Sequence, residues 1–190
     1  MKPILLMGGI LCLSGLCAPS WAEPPQAEDQ AFVIQDFAAV ELQKMGVVPV
    51  IVAAVKQANA EHKTLDEIKA RDQAWRDAPG ITAFMQAMLM SKCGLYLQQL
   101  RQSSAFYAEI FVMDNQGANV CMTDKTSDYW QGDEAKFQQS FLNGVGAIHI
   151  GEIAFDDSTH TYLVQVSVPV KAGDAVIGAI TFGIDVEEID

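Results

Sequence analysis

Apolar positions recur with a helical period up to about Ser103 and with a period of two after it. Asp29 stands before a helical run carrying Phe32, Ile34, Phe37, Val40 and Leu42, and Gly46 ends or bends that helix. Pro49 suits the first turn of a second helix through about Asn59, with the apolar run Val50 to Val55 behind it. Thr64-Leu65-Asp66-Glu67 reads as a capping box opening a third helix to about Asp77, with Leu65, Ile68 and Trp75 as its apolar side. Pro79-Gly80 breaks the pattern. Ile81 to about Gln102 then predicts one further helix, with Phe84, Met88, Leu95 and Leu100 in the core and Gly94 as its weak point.

The alternating part begins with Ala105 to Met113, a turn at Asp114-Asn115-Gln116-Gly117 and a returning strand from Ala118 to Thr123. Asp128 to Asp133 forms a loop, and Asp133-Glu134 open a short helix through Phe141, where the helix dipole favours two carboxylates. Residues 146–154 and 161–171 pair around a turn at Asp156-Asp157-Ser158, and Gly173-Asp174 leads into a last strand over 175–186. Helices followed by about five strands predict an α+β domain: an antiparallel sheet with the N-terminal helices packed on one face.

Alternation sorts the strand residues onto two faces. Tyr162, Val164, Val166, Val168 and Val170 share the side expected to meet the helices, together with Ile110, Val112, Val176, Ile180, Phe182 and Ile184. The opposite side carries Tyr107, Glu109, Phe111 and Met113 from one strand and Leu163, Gln165, Ser167, Pro169 and Lys171 from another. Ile177, Ala179, Thr181, Gly183 and Asp185 complete it. Apolar walls with a few oriented polar groups suit a small-molecule pocket, roofed here by Asp128, Tyr129 and Trp130. The candidate ligand-binding set is therefore Tyr107, Glu109, Phe111, Met113, Thr123, Asp128, Tyr129, Trp130, His149, Gln165, Ser167, Thr181 and Asp185. The competing reading is a half-buried face covered by loops, and a register slip of one residue would exchange the faces.

Residues 1–22 carry a positive start, an apolar run and Ser20-Trp21-Ala22, the pattern of a secretory signal cleaved after Ala22. The expected order is signal 1–22, linker 23–29, helical region 30–103 and sheet core 104–190, the last two forming one domain in the periplasm. A net charge of −12 repels phosphate backbones and anionic lipid, which disfavours nucleic acid as a partner. Four cysteines become two without the signal; Cys93 and Cys121 then make either a disulfide or two separate buried thiols. His62, His149 and His160 have no metal-binding spacing, and no nucleophile elbow, phosphate loop or C-x-x-C occurs. The expectation is a non-enzyme with no metal and no cofactor.

The segments AEIFVMDNQGANVCMTDKTSDYWQGDEAKF and YLVQVSVPVKAGDAVIGAITFGIDV resemble a Cache domain, the PAS-like periplasmic sensor fold also called PDC. The resemblance rests on Asp114-x-x-Gly117, on Tyr129-Trp130-x-Gly132-Asp133-Glu134 and on the closing hairpin, and covers about residues 81–190. It implies a central antiparallel sheet with a long helix behind it and a small-ligand pocket in front. The arginine-containing amino-acid signature of double Cache domains is not found. The implied function is a stand-alone periplasmic sensor module that binds an unidentified small molecule and passes its bound state to a membrane sensor kinase or chemoreceptor. The helical N-terminal region offers a surface through which two copies, or the chain and a protein partner, could pair. The alternatives are a non-signalling binding or scavenging protein and an assembly factor that has lost its ligand.

Overall fold

The computed structural model describes residues 27–156 and 161–189; the expected signal and the Asp157-Ser158 turn lie outside them. The helical half opens with α1 (Ala27–Phe37), a π-helical turn (Ala38–Leu42) and α2 (Gln43–Met45), so the helix is already under way before Asp29. Ile34, Ala38 and Leu42, four apart, are the residues this rod buries. Phe32 and Val40, carried by the same run, lie on its outer side.

Pro49 starts α3 (Pro49–Ala60) at its first turn, as its missing N–H allows. Thr64 and Glu67 close the capping box of α4 (Leu65–Asp77): the Thr64 hydroxyl accepts from the Glu67 N–H, and the Glu67 carboxylate accepts from the Thr64 N–H. Ile68, Asp72 and Trp75 form the buried stripe of α4, while Leu65 is exposed.

The helix expected over 81–102 is two helices, α5 (Ala83–Leu89) and α6 (Lys92–Gln102). Ser91 caps the second, its hydroxyl accepting from the Gly94 N–H at 2.9 Å. Gly94 is the crossing point: a Cβ there would lie 2.3 Å from the Met88 carbonyl oxygen. The break turns the buried side to Met85, Cys93 and Leu97 and leaves Phe84 and Leu95 partly in solvent.

The sheet comprises β1 (Tyr107–Met113), β2 (Asn119–Met122), β3 (His149–Ile150), β4 (Ala154–Asp156), β5 (Thr161–Ala172) and β6 (Ala175–Asp185). Its order is β2-β1-β6-β5-β3, with β4 also on β5, and every pairing is antiparallel. The strand expected over 146–154 is thus two short ones. The β1–β2 turn is built by Asp114, whose carboxylate accepts from the N–H groups of Gln116 and Ala118, and by Gly117 at φ 82°. Only glycine takes that backbone conformation without strain.

Val164, Val166, Val168 and Val170 pack with Ile110, Val112, Ile180, Phe182 and Ile184 against α1, α3 and α6, as the alternation predicts. The domain is α+β, with α1, α3 and α6 of its N-terminal half on this sheet face. Two irregularities correct the pattern. A register break between Val170 and Lys171 moves Ile177 to the helix side, while Val176 turns toward Gly146 and Pro169 on the other. Tyr162, beyond the valine run, stays half-exposed against Phe155. The opposite face carries a second core of Phe111, Met113, Met122, Ala179 and Phe137, the last from α7 (Ala135–Phe141). Met85, Met88, Trp75 and Ile68 bring α4 and α5 into that core.

Cys93 of α6 and Cys121 of β2 are bonded as a disulfide, which resolves the two readings of the pair. It ties the helical half to the sheet across a sequence separation of 28. Replacing both cysteines by serine is expected to cost about 3–4 kcal/mol on the chain-entropy model, read as a lower urea midpoint with a larger m-value, since the unfolded chain is released from its loop.

Candidate ligand cleft beside the second strand

The thirteen residues expected to line one pocket separate into distinct places. Glu109, Gln165, Ser167, Thr181, Asp185 and His149 do sit together across β1, β6, β5 and β3, on the face opposite α1 and α3. They largely satisfy one another: Gln165 Nε2 donates to Glu109 Oε1 at 2.9 Å, and the Ser167 and Thr181 hydroxyls are 2.7 Å apart. Asp185 accepts from the Glu187 N–H. Phe111 and Met113 are fully buried in the second core.

Tyr107 lies on the helix side instead, its ring against Phe106 and Phe182. The cause is a register break between Tyr107 and Glu109, which flips the strand by one residue. Thr123 serves the ladder: its hydroxyl accepts from the Ile110 N–H while its own N–H donates to the Ile110 carbonyl.

Asp128, Tyr129 and Trp130 sit at the β2 edge of the sheet. The Tyr129 carbonyl accepts from the Asn119 N–H, and Ala118 and Trp130 form an antiparallel bridge. Trp130 Nε1 donates to the Gln116 carbonyl, and the Lys69 ammonium lies 4.8 Å from the centre of its ring. Asp72, buried on α4, takes both the Tyr129 and Trp130 N–H groups on one oxygen, at 2.8 and 3.0 Å. Its second oxygen faces Arg76 at 2.9 Å. The Tyr129 ring then stands against Trp75 and Phe84.

Behind Tyr129 opens a cavity of about 460 Å³ between α3, the α5–α6 break and β2. Small side chains make the room: Ala53, Ala54 and Ala58 on α3 look across at Ala87 on α5. Phe84, Met88, Val120 and Tyr129 give it apolar surface, and Cys93 with its disulfide forms part of the wall. The charged members are Glu61, Lys63, Arg71 and Lys92. Asn119 also lines it: its amide donates to the Thr126 hydroxyl and the Asp128 carbonyl, while its buried Oδ1 has no partner among the described residues. An unpaired buried acceptor costs about 1–3 kcal/mol unless something meets it.

Burial pushes the Tyr129 phenol up to about 12, the Asp114 charge adds to the rise, and Arg71 acts against it. The phenol is therefore a neutral donor at ordinary pH. Asp114 is itself raised by burial, against the pull of the two N–H groups it accepts and of Lys63. Of the residues expected from sequence, Tyr129 alone is in the cavity wall. Arg71, Lys92 and Asn119 come from three elements with no shared spacing and were missed. Asp72 did leave a signal, an acidic residue on the same helical stripe as Ile68 and Trp75. Among the described residues no three His, Cys, Asp or Glu side chains gather as metal ligands.

Comparison with known proteins gives no matching family model and no matching curated protein. Similar solved structures include the sensor domain of the V. cholerae histidine kinase DctB, at 14% identity over 85% of this chain and 59% of that one, with a TM-score of 0.40. The sensory domain of the Campylobacter jejuni chemoreceptor Tlp3 follows at 14% identity, 86% and 66% coverage and a TM-score of 0.42. The E. coli DcuS sensor domain has 17% identity over 65% of this chain and 90% of that one, with a TM-score of 0.38. All three are sensor domains. The chain spans about three fifths of the DctB domain and just under two thirds of the Tlp3 domain.

Two outcomes follow from this geometry. Asp72→Ala strands two buried N–H groups and is expected to cost about 3 kcal/mol in urea unfolding followed by tryptophan fluorescence. Arg76→Ala, which removes a half-exposed guanidinium shared by Asp72 and Asp128 but leaves both N–H bonds to Asp72 in place, should cost less, about 1 kcal/mol. Burial also lowers the pKa of His149 below 6.5. As pH falls through 6.5 the unfolded chain takes up that proton first, so stability declines until the folded-state pKa is passed. His149→Gln should flatten that part of the pH–stability curve; an unchanged slope would assign it to other groups.

Proposed function

We propose that the chain is a secreted small-molecule-binding sensor module that takes its ligand in the cleft between α3, the α5–α6 break and β2. The cleft itself carries this reading. It has the volume of a small-ligand site and an apolar lining with a few polar groups. The signal-like pattern of residues 1–22 and the Cys93–Cys121 disulfide support an oxidising, extracytoplasmic setting. The sheet order and the resemblance of the C-terminal half to Cache domains support a sensing role in which a membrane kinase or chemoreceptor reads the bound state.

The test is native mass spectrometry of protein exported and purified without denaturation, paired with a thermal-shift screen of small metabolites. A bound ligand at a hundred times its dissociation constant should add about 2.7 kcal/mol. Ala87→Phe, which projects a ring into the cleft, should remove both the adduct and the shift. A wild-type protein without adduct or shift across the library would sink the proposal.

A further inference from the structure

Resting on the cleft as the ligand site, we infer that its ligand is an uncharged aromatic molecule of one or two rings, held by packing rather than by a countercharge.

The placing of charge in the wall is the first observation. Glu61, Arg71 and Lys92 are all exposed, so water already solvates them on the rim. The Arg71 guanidinium also lies over the Phe84 ring, 4.4 Å from its centre. Lys63 is the buried cation of the wall, its side chain 14% exposed. Its ammonium is fully engaged, 3.4 Å from the Ala58 carbonyl, 3.1 Å from Glu61 and 3.7 Å from Asp114. The amide of Asn119 is spent on the Thr126 hydroxyl and the Asp128 carbonyl, and its Oδ1 is sealed from solvent. A carboxylate or ammonium carried into the cleft would give up water and gain no buried partner. Rim charges do not repay that loss, because salt and water screen them.

The chemistry of the remaining surface is the second. Val50, Ala53 and Ala54 of α3 stand across from Ala87 and Met88 of α5, with Val120 of β2 beside them. None of these six offers a side-chain hydrogen bond of ordinary strength. The Met88 thioether is polarizable and makes favourable contacts with aromatic rings. Phe84 and Tyr129 line the same space as an edge-to-face pair, their centres 5.6 Å apart at 70°. Phe84 is 39% exposed, an aromatic ring left partly in water at the rim. A further ring extends that edge-to-face array and covers it.

Size is the third. An apolar cavity of about 150 Å³ takes one benzene ring. The cleft, at about 460 Å³ and partly open to solvent, has room for a bicyclic ring with short substituents.

Isothermal titration calorimetry of the exported protein can decide this with matched probes: indole beside indole-3-carboxylate, 2-naphthol beside 2-naphthoate, and 1-octanol as a neutral probe without a ring. The neutral ring of the better pair should bind at least about tenfold more tightly than its carboxylate. Its affinity should hold between about 0.05 and 0.5 M salt, and its binding should show the negative heat capacity of apolar burial. Phe84→Ala should weaken it about fivefold, with circular dichroism showing the variant folded. A carboxylate that binds as tightly as its neutral partner would overturn the inference, as would 1-octanol matching the rings or no ring binding at all. Two variants on opposite walls, Ala87→Phe and Ala53→Leu, separate this from the choice of site. If a charged probe binds and both variants abolish it, the cleft stands and only the ligand class fails. If a ring binds wild type and both variants equally, the cleft itself is the wrong site.

Discussion

The carboxylate of Asp72 is the constraint on which the rest of the site depends. A buried charge survives in a fold only when hydrogen bonds and counter-charge replace its water. Here the replacement comes from the Tyr129 and Trp130 backbone and from Arg76. Those bonds fix the loop against α4, and the loop then passes its own hydrogen bonds to the sheet, from Asn119 N–H to the Tyr129 carbonyl and from Gln131 N–H to the Gly117 carbonyl. One side chain therefore decides where the Tyr129 ring stands, and the ring in turn closes one side of the cleft.

The cleft exists because two opposing demands meet at Gly94. The chain turns sharply between α5 and α6, and only a residue without Cβ fits beneath the Met88 and Leu89 carbonyls. The turn carries α5 away from α3, and alanines on both helices leave the gap unfilled. The disulfide between Cys93 and Cys121 holds the start of α6 to the sheet at the side of the same gap. Helix α3 thus presents two faces with different work: Ile51 and Val55 are fully buried in the core, and Ala53, Ala54 and Ala58 look into the cavity.

The fold was legible wherever one period ran unbroken. The valines of β5 sort correctly because four alternating positions are β-branched on one side, and the capping box at Thr64 and the turn at Asp114 are spelled out locally. Legibility failed where a single residue changed the phase. The breaks at Tyr107–Glu109 and Val170–Lys171 each flip a neighbour, and no residue type announces them. The helix over 81–102 was misread because the closeness of Gly94 to the preceding turn is a property of packing, not of helical spacing. The cleft was illegible for a deeper reason: Arg71, Asn119 and Lys92 become neighbours only after α4, α6 and the sheet have docked, whereas the sheet face could be assembled on paper from alternation alone.

Helix α3 also links the cleft to the sheet beyond it. Asn59, at its C-terminal end, donates to the Ile177 carbonyl at the irregular start of β6 and accepts from the Asn115 N–H in the β1–β2 turn. Lys63, just past the helix, reaches Asp114 in that turn, and its carbonyl accepts from Gln116. A displacement of α3 toward a ligand must therefore either carry the β1–β2 turn with it or break these bonds. The turn in turn holds Trp130, through the Gln116 carbonyl. Occupancy of the cleft and the position of the sheet edge are in this way one mechanical problem, with the hydrogen bonds of a single asparagine at its centre.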